Sequence, residues 1–441
     1  MEVTDPRLAS VKEYLHPSFT GNPGAIDLIG LSEYFAFGET WDGRTLNEGL
    51  RRKWLHPDIF HYSPRQGISL KEWGSRLSSA LQTSTAKCLD EEEGKRIGIS
   101  LSGGLDSRCV LASVPEDMVR DVVCFTFGNE RSSDVKAAKR VCQTLGVKKH
   151  IIVPISPTSI IHHAMEEMML TKGQCYVGVA FSHEVAKVMR RHIDVLMDGF
   201  ALDQMLGGGY LDEGKIRSVV MPRLPKYRLF NDEELSLLLK RMMPVQPIIQ
   251  DVLRQVRREG DAPPDVHDQF SFNTHILWGQ IGDLAMLEQV KVIHPTAHES
   301  FLQVMLQVPA ELRFNHQAQR EMLLNLNRDL ASLVYANTGF PASWPIPLWR
   351  VGWYYRRRKY VLKRILGMSN PDLYVDFSGW IRHDPEFKDF VESWIRKPDA
   401  YLDQAMVERL YKEHIDLVKD RALQLLYIVS FRMYLESMRS G

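Results

Sequence analysis

The stretch Arg96-Ile-Gly-Ile-Ser-Leu-Ser-Gly-Gly-Leu-Asp-Ser-Arg-Cys-Val-Leu-Ala112 decides the fold that the sequence predicts. The alternating apolar run 97–101 stops at Ser102-Gly103-Gly104, and an apolar segment of helical character resumes at Val110-Leu111. This order predicts a strand, a glycine-rich turn and a helix. The N–H groups of such a turn and of the helix N-terminus can bind a phosphate. The two glycines let the backbone approach the anion because no Cβ stands in the way.

The side chains of this stretch suit a nucleotide that carries a metal ion. Ser102 and Ser107 supply hydroxyl donors, whereas Asp106 would repel a phosphate unless Mg²⁺ lay between them. An ordinary turn between a strand and a helix, without a phosphate, is the alternative that the residues leave open. The string Ser-Gly-Gly-Leu-Asp-Ser lacks the Gly-Lys-Ser/Thr ending of a Walker loop. It resembles the signature of the N-type ATP pyrophosphatases, the PP-loop family, which cleave ATP to AMP and pyrophosphate.

Strand and helix patterns alternate between residues 95 and 210. This alternation predicts an α/β fold with a parallel, doubly wound sheet of the PP-loop/HUP-like kind. Ligands of such sheets lie at the carboxyl ends of the strands, where Ser102, Phe127-Gly128 and Asp198-Gly199 are expected to converge. The predicted strands after the first are 121–127, 150–153 and 194–197, and the predicted helices are 70–89, 134–145, 156–170 and 181–190.

The flanking regions are less regular. Residues 1–80 contain short apolar pieces broken by turn signals, which predicts a small N-terminal α+β part. Residues 211–265 are charged and interrupted by proline, and we interpret them as a solvated insertion or mobile loop. From Phe270 to the end helical patterns dominate. The basic run Arg356–Lys359 could contact nucleic acid, although a basic helix face is the simpler interpretation at zero net charge.

Composition places few limits on function. The 441 residues carry 55 basic and 55 acidic side chains, so the overall charge favours neither nucleic acid nor a membrane surface as a partner. No uninterrupted apolar run is long enough to span a bilayer, and the start does not resemble a signal peptide. The five cysteines form no Cys-x-x-Cys pair and lie mostly in apolar contexts, which predicts buried thiols and no zinc site built from them. These features favour a cytoplasmic protein.

A second glycine-rich string, Asp194-Val-Leu-Met-Asp-Gly-Phe-Ala-Leu-Asp-Gln-Met-Leu-Gly-Gly-Gly-Tyr210, follows a predicted strand and adds the acid Asp203. A turn with a capping aspartate is the alternative interpretation. Together the two strings resemble the synthetase domain of the asparagine synthetases. Segments 307–312, 411–415 and 425–434 are similar to later parts of that domain, which predicts that it occupies residues 70–441. Residues 26–67, with His56-Pro57 among them, resemble the end of the family's glutaminase domain, so residues 1–69 are predicted to be a remnant of it.

The resemblance implies a site for ATP and Mg²⁺ at the carboxyl ends of the strands. It places Asp106 and Asp203 as the two carboxylates that hold Mg²⁺, which would neutralise pyrophosphate as it leaves. The residues that it implies for binding the adenine, ribose and pyrophosphate of ATP are Leu101, Ser102, Gly103, Gly104, Asp106, Ser107, Phe127, Asp198 and Gly199.

The sequence departs from the family at three functional positions. Phe200 stands where the family has a catalytic glutamate, and Asn337 stands where it has a catalytic lysine. Tyr335, Arg320 and Arg350 are candidates to replace these groups. Glu2 occupies the position of the family's cysteine nucleophile, so we do not expect glutamine hydrolysis, because that reaction needs a thiolate.

Two classes of function remain open. The first is an asparagine synthase-like ligase that activates a carboxylate as its acyl-adenylate and passes it to ammonia or an amine. A separate glutaminase could supply the nitrogen, or the substrate could carry its own amine, as in β-lactam or lasso-peptide macrolactam synthetases. The second is a nucleotide-binding regulatory or partner protein without turnover. A large substrate, such as a peptide or a tRNA, also stays open.

Overall fold

The computed structural model describes residues 6–53, 59–206, 228–276 and 279–440. Five parallel strands form its central sheet in the order β5-β4-β3-β6-β7. The register pairs Gly98 of the middle strand, β3, with Val123 of β4 on one side and Leu196 of β6 on the other. This arrangement confirms the predicted parallel α/β fold. The sheet strands are β3 (Ile97–Ser100), β4 (Val123–Phe127), β5 (Lys149–Val153), β6 (Val195–Met197) and β7 (Lys291–Ile293), and a separate antiparallel pair joins β1 (Phe19–Thr20) to β2 (Arg51–Arg52).

The helices that connect the sheet strands begin and end close to their predicted bounds. Ser69, Ser132 and Ser156 accept backbone hydrogen bonds as N-caps, and Gly146 ends its helix with a φ of 66°. Local sequence signals therefore determine these boundaries. The helices from residue 28 to residue 206 are α1 (Leu28–Phe37), α2 (Leu70–Asp90), α3 (Asp106–Ser113), α4 (Ser133–Leu145), α5 (Pro157–Leu170), α6 (Ser182–Met189) and α7 (Leu202–Leu206).

Helices also dominate the remainder of the chain, as predicted from residue 270 onward. Short 3₁₀ turns (6–14, 177–179, 280–283, 295–297 and 314–316) and one π-helical turn (272–276) join longer elements. The longer helices are α8 (Asp232–Leu238), α9 (Gln246–Val256), α10 (Pro263–Ser271), α11 (Leu284–Leu287), α12 (Glu299–Met305), α13 (Ala310–Arg313), α14 (Gln317–Leu326), α15 (Arg328–Ser332), α16 (Ile346–Ile365), α17 (Phe377–His383), α18 (Pro385–Ile395), α19 (Gln404–Ile415) and α20 (Ala422–Ser440).

The interpretation of residues 211–265 as a solvated loop is wrong for the part that the structure describes. Helices α8 and α9 lie there, and Ile249, Val252 and Val256 of α9 are almost fully buried. Their spacing of three and four places them on one helix face, which packs into the helical core. Charged and polar residues stand between these positions, so the average composition of the segment does not reveal the apolar face. Residues 207–227, which include the end of the second glycine-rich string, lie outside the described residues, as does His56-Pro57.

The N-terminal segment contributes to the same helical core. Tyr34 on α1 packs against Tyr427 on α20 with ring centroids 5.1 Å apart, and Phe35 packs against Phe431 at 5.6 Å. The division into residues 1–69 and 70–441 stays a prediction. All five cysteines are buried free thiols, as expected. Among the described helices, none combines the length and the apolar composition that crossing a bilayer requires.

Candidate functional site

The carboxyl ends of three neighbouring strands bring the predicted site residues to one edge of the sheet. Strand β3 lies between β4 and β6, so Ser102, Phe127 and Asp198 follow adjacent strands in the same direction. The predicted convergence of these strand ends is therefore confirmed. The sheet strands β3, β4 and β6 are buried on both faces, which makes this edge a rigid support.

The turn at residues 102–104 has its backbone N–H groups satisfied within the protein. The N–H of Ser102 donates to Ser107 Oγ, that of Gly103 to Asp134 Oδ1 and that of Gly104 to Ser102 Oγ, each at 3.0 Å. A phosphate would have to replace these acceptors. The first turn of α3 has no side-chain cap at Leu105, so its N–H groups are candidates to bind an anion.

Asp106, at the start of α3, and Asp203, on α7, form a half-buried pair of carboxyl groups. Burial and the neighbouring charge of Asp203 raise the pKa of Asp106, and burial raises the pKa of Asp203. Gln319 donates to Asp106 Oδ1 at 2.5 Å, and His316 faces Asp203. Two desolvated carboxylates that face one another are unfavourable without a cation, so the pair could hold a divalent metal ion.

Gly199 permits the close approach of the two glycine-rich segments. A Cβ at this position would lie 2.8 Å from the carbonyl carbon of Asp106 and 2.9 Å from its Cβ. We expect Gly199→Ala to destabilise the protein by about 1–3 kcal/mol, because either backbone must shift. The matched control is Gly279→Ala, whose added Cβ meets nothing within 4 Å. Thermal and urea unfolding of both variants check this prediction, and equal stability of the two would contradict it.

Arg108 fixes the segment that follows α15 against the turn. Its guanidinium is fully buried and donates to the carbonyl oxygens of Leu330 at 3.0 Å and of Leu333 and Val334 at 3.1 Å. The N–H of Ala336 in turn donates to Gly103 O at 3.2 Å. Arg108 was not among the predicted site residues, because an arginine inside an apolar helical run gives no sign of its distant acceptors.

The segment Tyr335–Asn337 joins the acid pair to a neighbouring cavity. The charges of Asp106 and Asp203, together with burial, raise the pKa of Tyr335, so its hydroxyl is a proton donor near the pair. Asn337 Nδ2 donates to that hydroxyl at 2.6 Å, and Asn337 also lines the cavity. Asn337, which the sequence predicts to stand at the family's lysine position, therefore lies at the cavity but carries no charge.

Phe200 is part of the core beside the site. It is 7% exposed and its ring packs against Phe272 and His294, with centroids 6.2 Å and 5.3 Å away. Its neighbour Asp198 accepts hydrogen bonds from the Phe200 N–H at 3.1 Å and from His294 Nδ1 at 2.5 Å. This arrangement leaves an aromatic group where the family has its glutamate.

A cavity of about 830 Å³ opens at the ends of β3 and β4. Of the predicted site residues, Leu101, Ser102, Phe127 and Asn337 line it, whereas the other predicted residues are not among the described residues that form its wall. Basic and aromatic side chains of α16 form much of the opposite wall. These side chains are Trp353, Arg356, Arg357, Lys359, Tyr360, Lys363 and Arg364.

Arg356 is the cation that reaches deepest toward the turn. Its guanidinium donates to the carbonyl oxygen of Ala336 and to Ser133 Oγ, the latter at 2.7 Å. The basic run therefore does lie on a helix, but part of its basic face lines the cavity rather than contacting solvent alone. The signal in the sequence was the spacing of Arg356, Lys359 and Lys363, which places all three on one side of a helix.

The two arginines suggested as replacements for the missing lysine lie elsewhere. Arg320 donates to the carbonyl oxygens of Ala342, at 2.7 Å, and Trp344. Its guanidinium also lies 4.4 Å from the ring centre of Trp349, so it has a structural role in this conformation. Arg350 is exposed and is not among the described residues that line the cavity.

Comparisons with known proteins agree with the geometry. The family model of asparagine synthase matches residues 76–436. A probable glutamine-hydrolysing asparagine synthetase of Acanthamoeba polyphaga mimivirus is 45% identical over 104 residues, which cover 22% of this chain and 19% of that protein. The glutamine-hydrolysing asparagine synthetase of Cricetulus griseus is 28% identical over 155 residues, 32% of this chain and 27% of the relative.

A third relative is named for a different enzymatic activity. The 7-cyano-7-deazaguanine synthase of Paramagnetospirillum magneticum is 29% identical over 111 residues, 25% of this chain and 49% of that protein. The matched stretches thus span about half or less of the length of each of these relatives. The family model, by contrast, extends over most of this chain. The chain therefore belongs to the asparagine synthase family.

Proposed function

We propose that this protein is an ATP-dependent, amide-forming ligase. A carboxylate oxygen of the substrate attacks the α-phosphorus of ATP, the bond from that phosphorus to the bridging oxygen breaks, and pyrophosphate leaves. The nitrogen of ammonia or of an amine then attacks the acyl carbon of the adenylate. AMP departs and the attacking nitrogen loses a proton, which leaves the amide.

The observation that carries this proposal is the half-buried carboxyl pair of Asp106 and Asp203 beside the Ser-Gly-Gly turn. Desolvation raises the pKa of both groups, and the charge of Asp203 raises that of Asp106 further. Asp106 follows the Ser-Gly-Gly turn, and Asp203 follows Asp198-Gly199 at the same sheet edge. Such a donor set fits Mg²⁺, which prefers oxygen ligands. Bound there, Mg²⁺ would neutralise charge on the departing pyrophosphate.

The remaining residues of the sheet edge suit the nucleotide. We propose that Leu101, Phe127, Asp198 and Gly199 contact the adenine and ribose. The pyrophosphate portion would lie against Ser102, Gly103, Gly104 and Ser107 and the first turn of α3. The basic side chains of α16 across the cavity would balance the triphosphate charge.

The acceptor half differs from the family pattern, and we propose that Arg356 compensates for part of the difference. Asn337 and Phe200 can neither stabilise a developing negative charge as a cation nor transfer a proton as a carboxyl group. Arg356 contacts the carbonyl oxygen of the residue next to Asn337 and lines the same cavity. It is therefore placed to stabilise the negative charge on the adenylate while the amine attacks.

The nitrogen source and the acid stay predictions. We propose that free ammonia, a separate glutaminase or an amine on the substrate itself supplies the nitrogen. Glu2, which the sequence predicts to stand at the position of the family's cysteine nucleophile, lies outside the described residues. The cavity of about 830 Å³ has to hold ATP as well as the acid, so its volume does not select aspartate over a larger carboxylate. A peptide-like or other larger carboxylate is therefore included among the substrates to be tested.

A nucleotide-binding partner protein without turnover is the second candidate. The observation that favours it is the packing of Phe200 into the aromatic core, where no catalytic carboxyl group remains. This candidate predicts nucleotide binding without bond cleavage. The half-buried acid pair favours the ligase, because a binding protein has less need of two metal-binding carboxylates at the cost of their desolvation.

Exchange of labelled pyrophosphate into ATP tests the proposal. We expect exchange that requires Mg²⁺ and one member of a panel of carboxylic acids, including aspartate and short peptides. The matched control omits the acid, and amide formation is followed by mass spectrometry after adding ammonia or amines. ATP binding without exchange for any acid would overturn the ligase and support the binding protein.

A further inference from the structure

A cluster of histidines and carboxylates lies between helices α5 and α6. His163 and Glu166 are three residues apart on α5 and share one face, while His183 begins the first turn of α6. Both imidazoles are 3% exposed, and their rings stack at 5.1 Å with an interplanar angle of 11°. Glu166 reaches this pair from the solvent side.

The ring nitrogens converge on one carboxylate oxygen. Glu166 Oε2 lies 2.9 Å from His163 Nδ1 and 3.5 Å from His183 Nδ1. One ligand atom from each of the three residues lies within 4.8 Å of the other two. Two imidazole nitrogens and one carboxylate oxygen are a donor set that Zn²⁺ uses in proteins, with a fourth position left for water.

Each ring also has a second carboxylate beside its other nitrogen. Glu167, which is fully buried, places Oε2 2.8 Å from His183 Nε2. Glu184 places Oε2 3.8 Å from His163 Nε2. Carboxylates in this position orient histidine ligands and fix the tautomer, because the ring N–H that does not face the metal donates a hydrogen bond to them.

The charge around the two rings also fits a dication. Three carboxylates, those of Glu166, Glu167 and Glu184, contact the imidazoles. The cation in contact is Lys187, whose Nζ is 3.2 Å from His163 Nε2. With neutral imidazoles two negative charges stay unbalanced, and protonation of His183 would balance only one of them. Glu167 is fully buried beside His183, where an unbalanced charge is costly, whereas the side chains of Glu166 and Glu184 are exposed.

We propose that His163, Glu166 and His183 bind one Zn²⁺ ion. Nδ1 of each histidine and a carboxylate oxygen of Glu166 are the ligands, and Glu167 and Glu184 accept hydrogen bonds from the Nε2–H groups. Lys187 turns away from His163 when Nε2 carries its proton. The ion ties α5 to α6 and is separate from the oxygen-only pair of Asp106 and Asp203, which suits Mg²⁺. The inference does not depend on the ligase reaction.

Metal titration of the chelator-treated full chain tests this site. We expect one Zn²⁺ per chain by calorimetry in the presence of excess Mg²⁺, and an intense visible absorption when Co²⁺ replaces Zn²⁺. The thermal midpoint should rise with the free Zn²⁺ concentration. His162 is the matched control, because it is exposed and its ring lies next to His163 but outside the ligand set. His162→Gln should bind the ion as the wild type does.

Two substitutions separate the site from general metal binding. Glu166→Gln, at an exposed side chain, should keep the fold and weaken Zn²⁺ binding by about 10-fold or more. His163→Gln should remove the cobalt absorption. Absence of stoichiometric Zn²⁺ binding by the wild type would overturn the proposal, and so would equal affinity in Glu166→Gln and His162→Gln.

Discussion

Replacing Asp106 or Asp203 with asparagine should abolish pyrophosphate exchange and, at the same time, stabilise the protein in the absence of metal. The two effects have one cause. Each carboxyl group is half-buried, and desolvation raises the pKa of each, so that ionisation in the folded state is costly. Asparagine removes that cost but provides no anionic ligand for Mg²⁺. We expect exchange to fall by about 10³-fold or more, as for loss of a principal charge-stabilising group.

The pH dependence of stability gives this prediction a second measurement. A raised pKa means that the folded protein holds these protons more tightly than the unfolded chain. The stability that they contribute is therefore present below about pH 4 and is lost as the pH rises through the higher folded-state pKa values. Thermal unfolding without Mg²⁺ should show a smaller loss over this range in Asp106→Asn and Asp203→Asn than in the wild type.

Asp121→Asn is the matched control for these variants, because its carboxylate is exposed and pairs with Lys148 on the surface. It should retain exchange and the pH profile of the wild type. Added Mg²⁺ should raise the thermal midpoint of the wild type and of Asp121→Asn, but not that of either site variant. Undiminished exchange in Asp106→Asn or Asp203→Asn would rule out our assignment of the metal ligands.

The sequence predicted four of the five strands of the central sheet, because their signals are local, but it did not predict β7. A strand, a glycine-rich turn and a helix follow one another within residues 96–112, and Ser132 and Gly146 cap the two ends of α4 close to its predicted bounds. Parallel order then follows from the alternation of strands and helices. The acid pair could be anticipated for the same reason, since each aspartate follows a strand of this sheet.

The parts that could not be predicted depend on contacts between distant segments. Arg108 and Arg356 bind carbonyl oxygens of the segment 330–336, more than two hundred residues from the first and twenty from the second. The composition of residues 232–256 favoured a solvated insertion or mobile loop, because charged residues surround a narrow apolar face. That face is recognised only from its packing in the folded core. His163 and His183 likewise lie on separate helices, and nothing in their spacing indicates that their rings stack.

Arg356→Gln should lower the rate of amide formation by about 10²–10³-fold while leaving the fold intact. The expected loss is that of one group that stabilises charge in the transition state. Arg356 is the cation beside Asn337, where the family has lysine, and its guanidinium contacts both Ala336 O and Ser133 Oγ. Glutamine can still donate a hydrogen bond there but brings no charge.

Arg358→Gln is the matched control on the same helix. Its guanidinium lies 4.5 Å from the ring centre of Tyr354, is exposed and is not among the described residues that line the cavity. The substitution Arg358→Gln removes the same charge as Arg356→Gln, two residues further along the helix, and leaves the cavity wall unchanged. The rate constants of amide formation for the two variants therefore separate a local charge effect from the general potential of this basic helix.

A rescue variant distinguishes catalysis from mere positioning of the segment. Asn337→Lys in the Arg356→Gln background returns a cation to the family's position but restores no hydrogen bond to Ala336 O. If charge is what the reaction needs, this double variant should regain much of the lost kcat, and Arg356→Lys should lose little. If Arg356 only holds the segment in place, the double variant should stay slow and the thermal midpoint should fall with Arg356→Gln. Equal rates for Arg356→Gln and Arg358→Gln would exclude both roles.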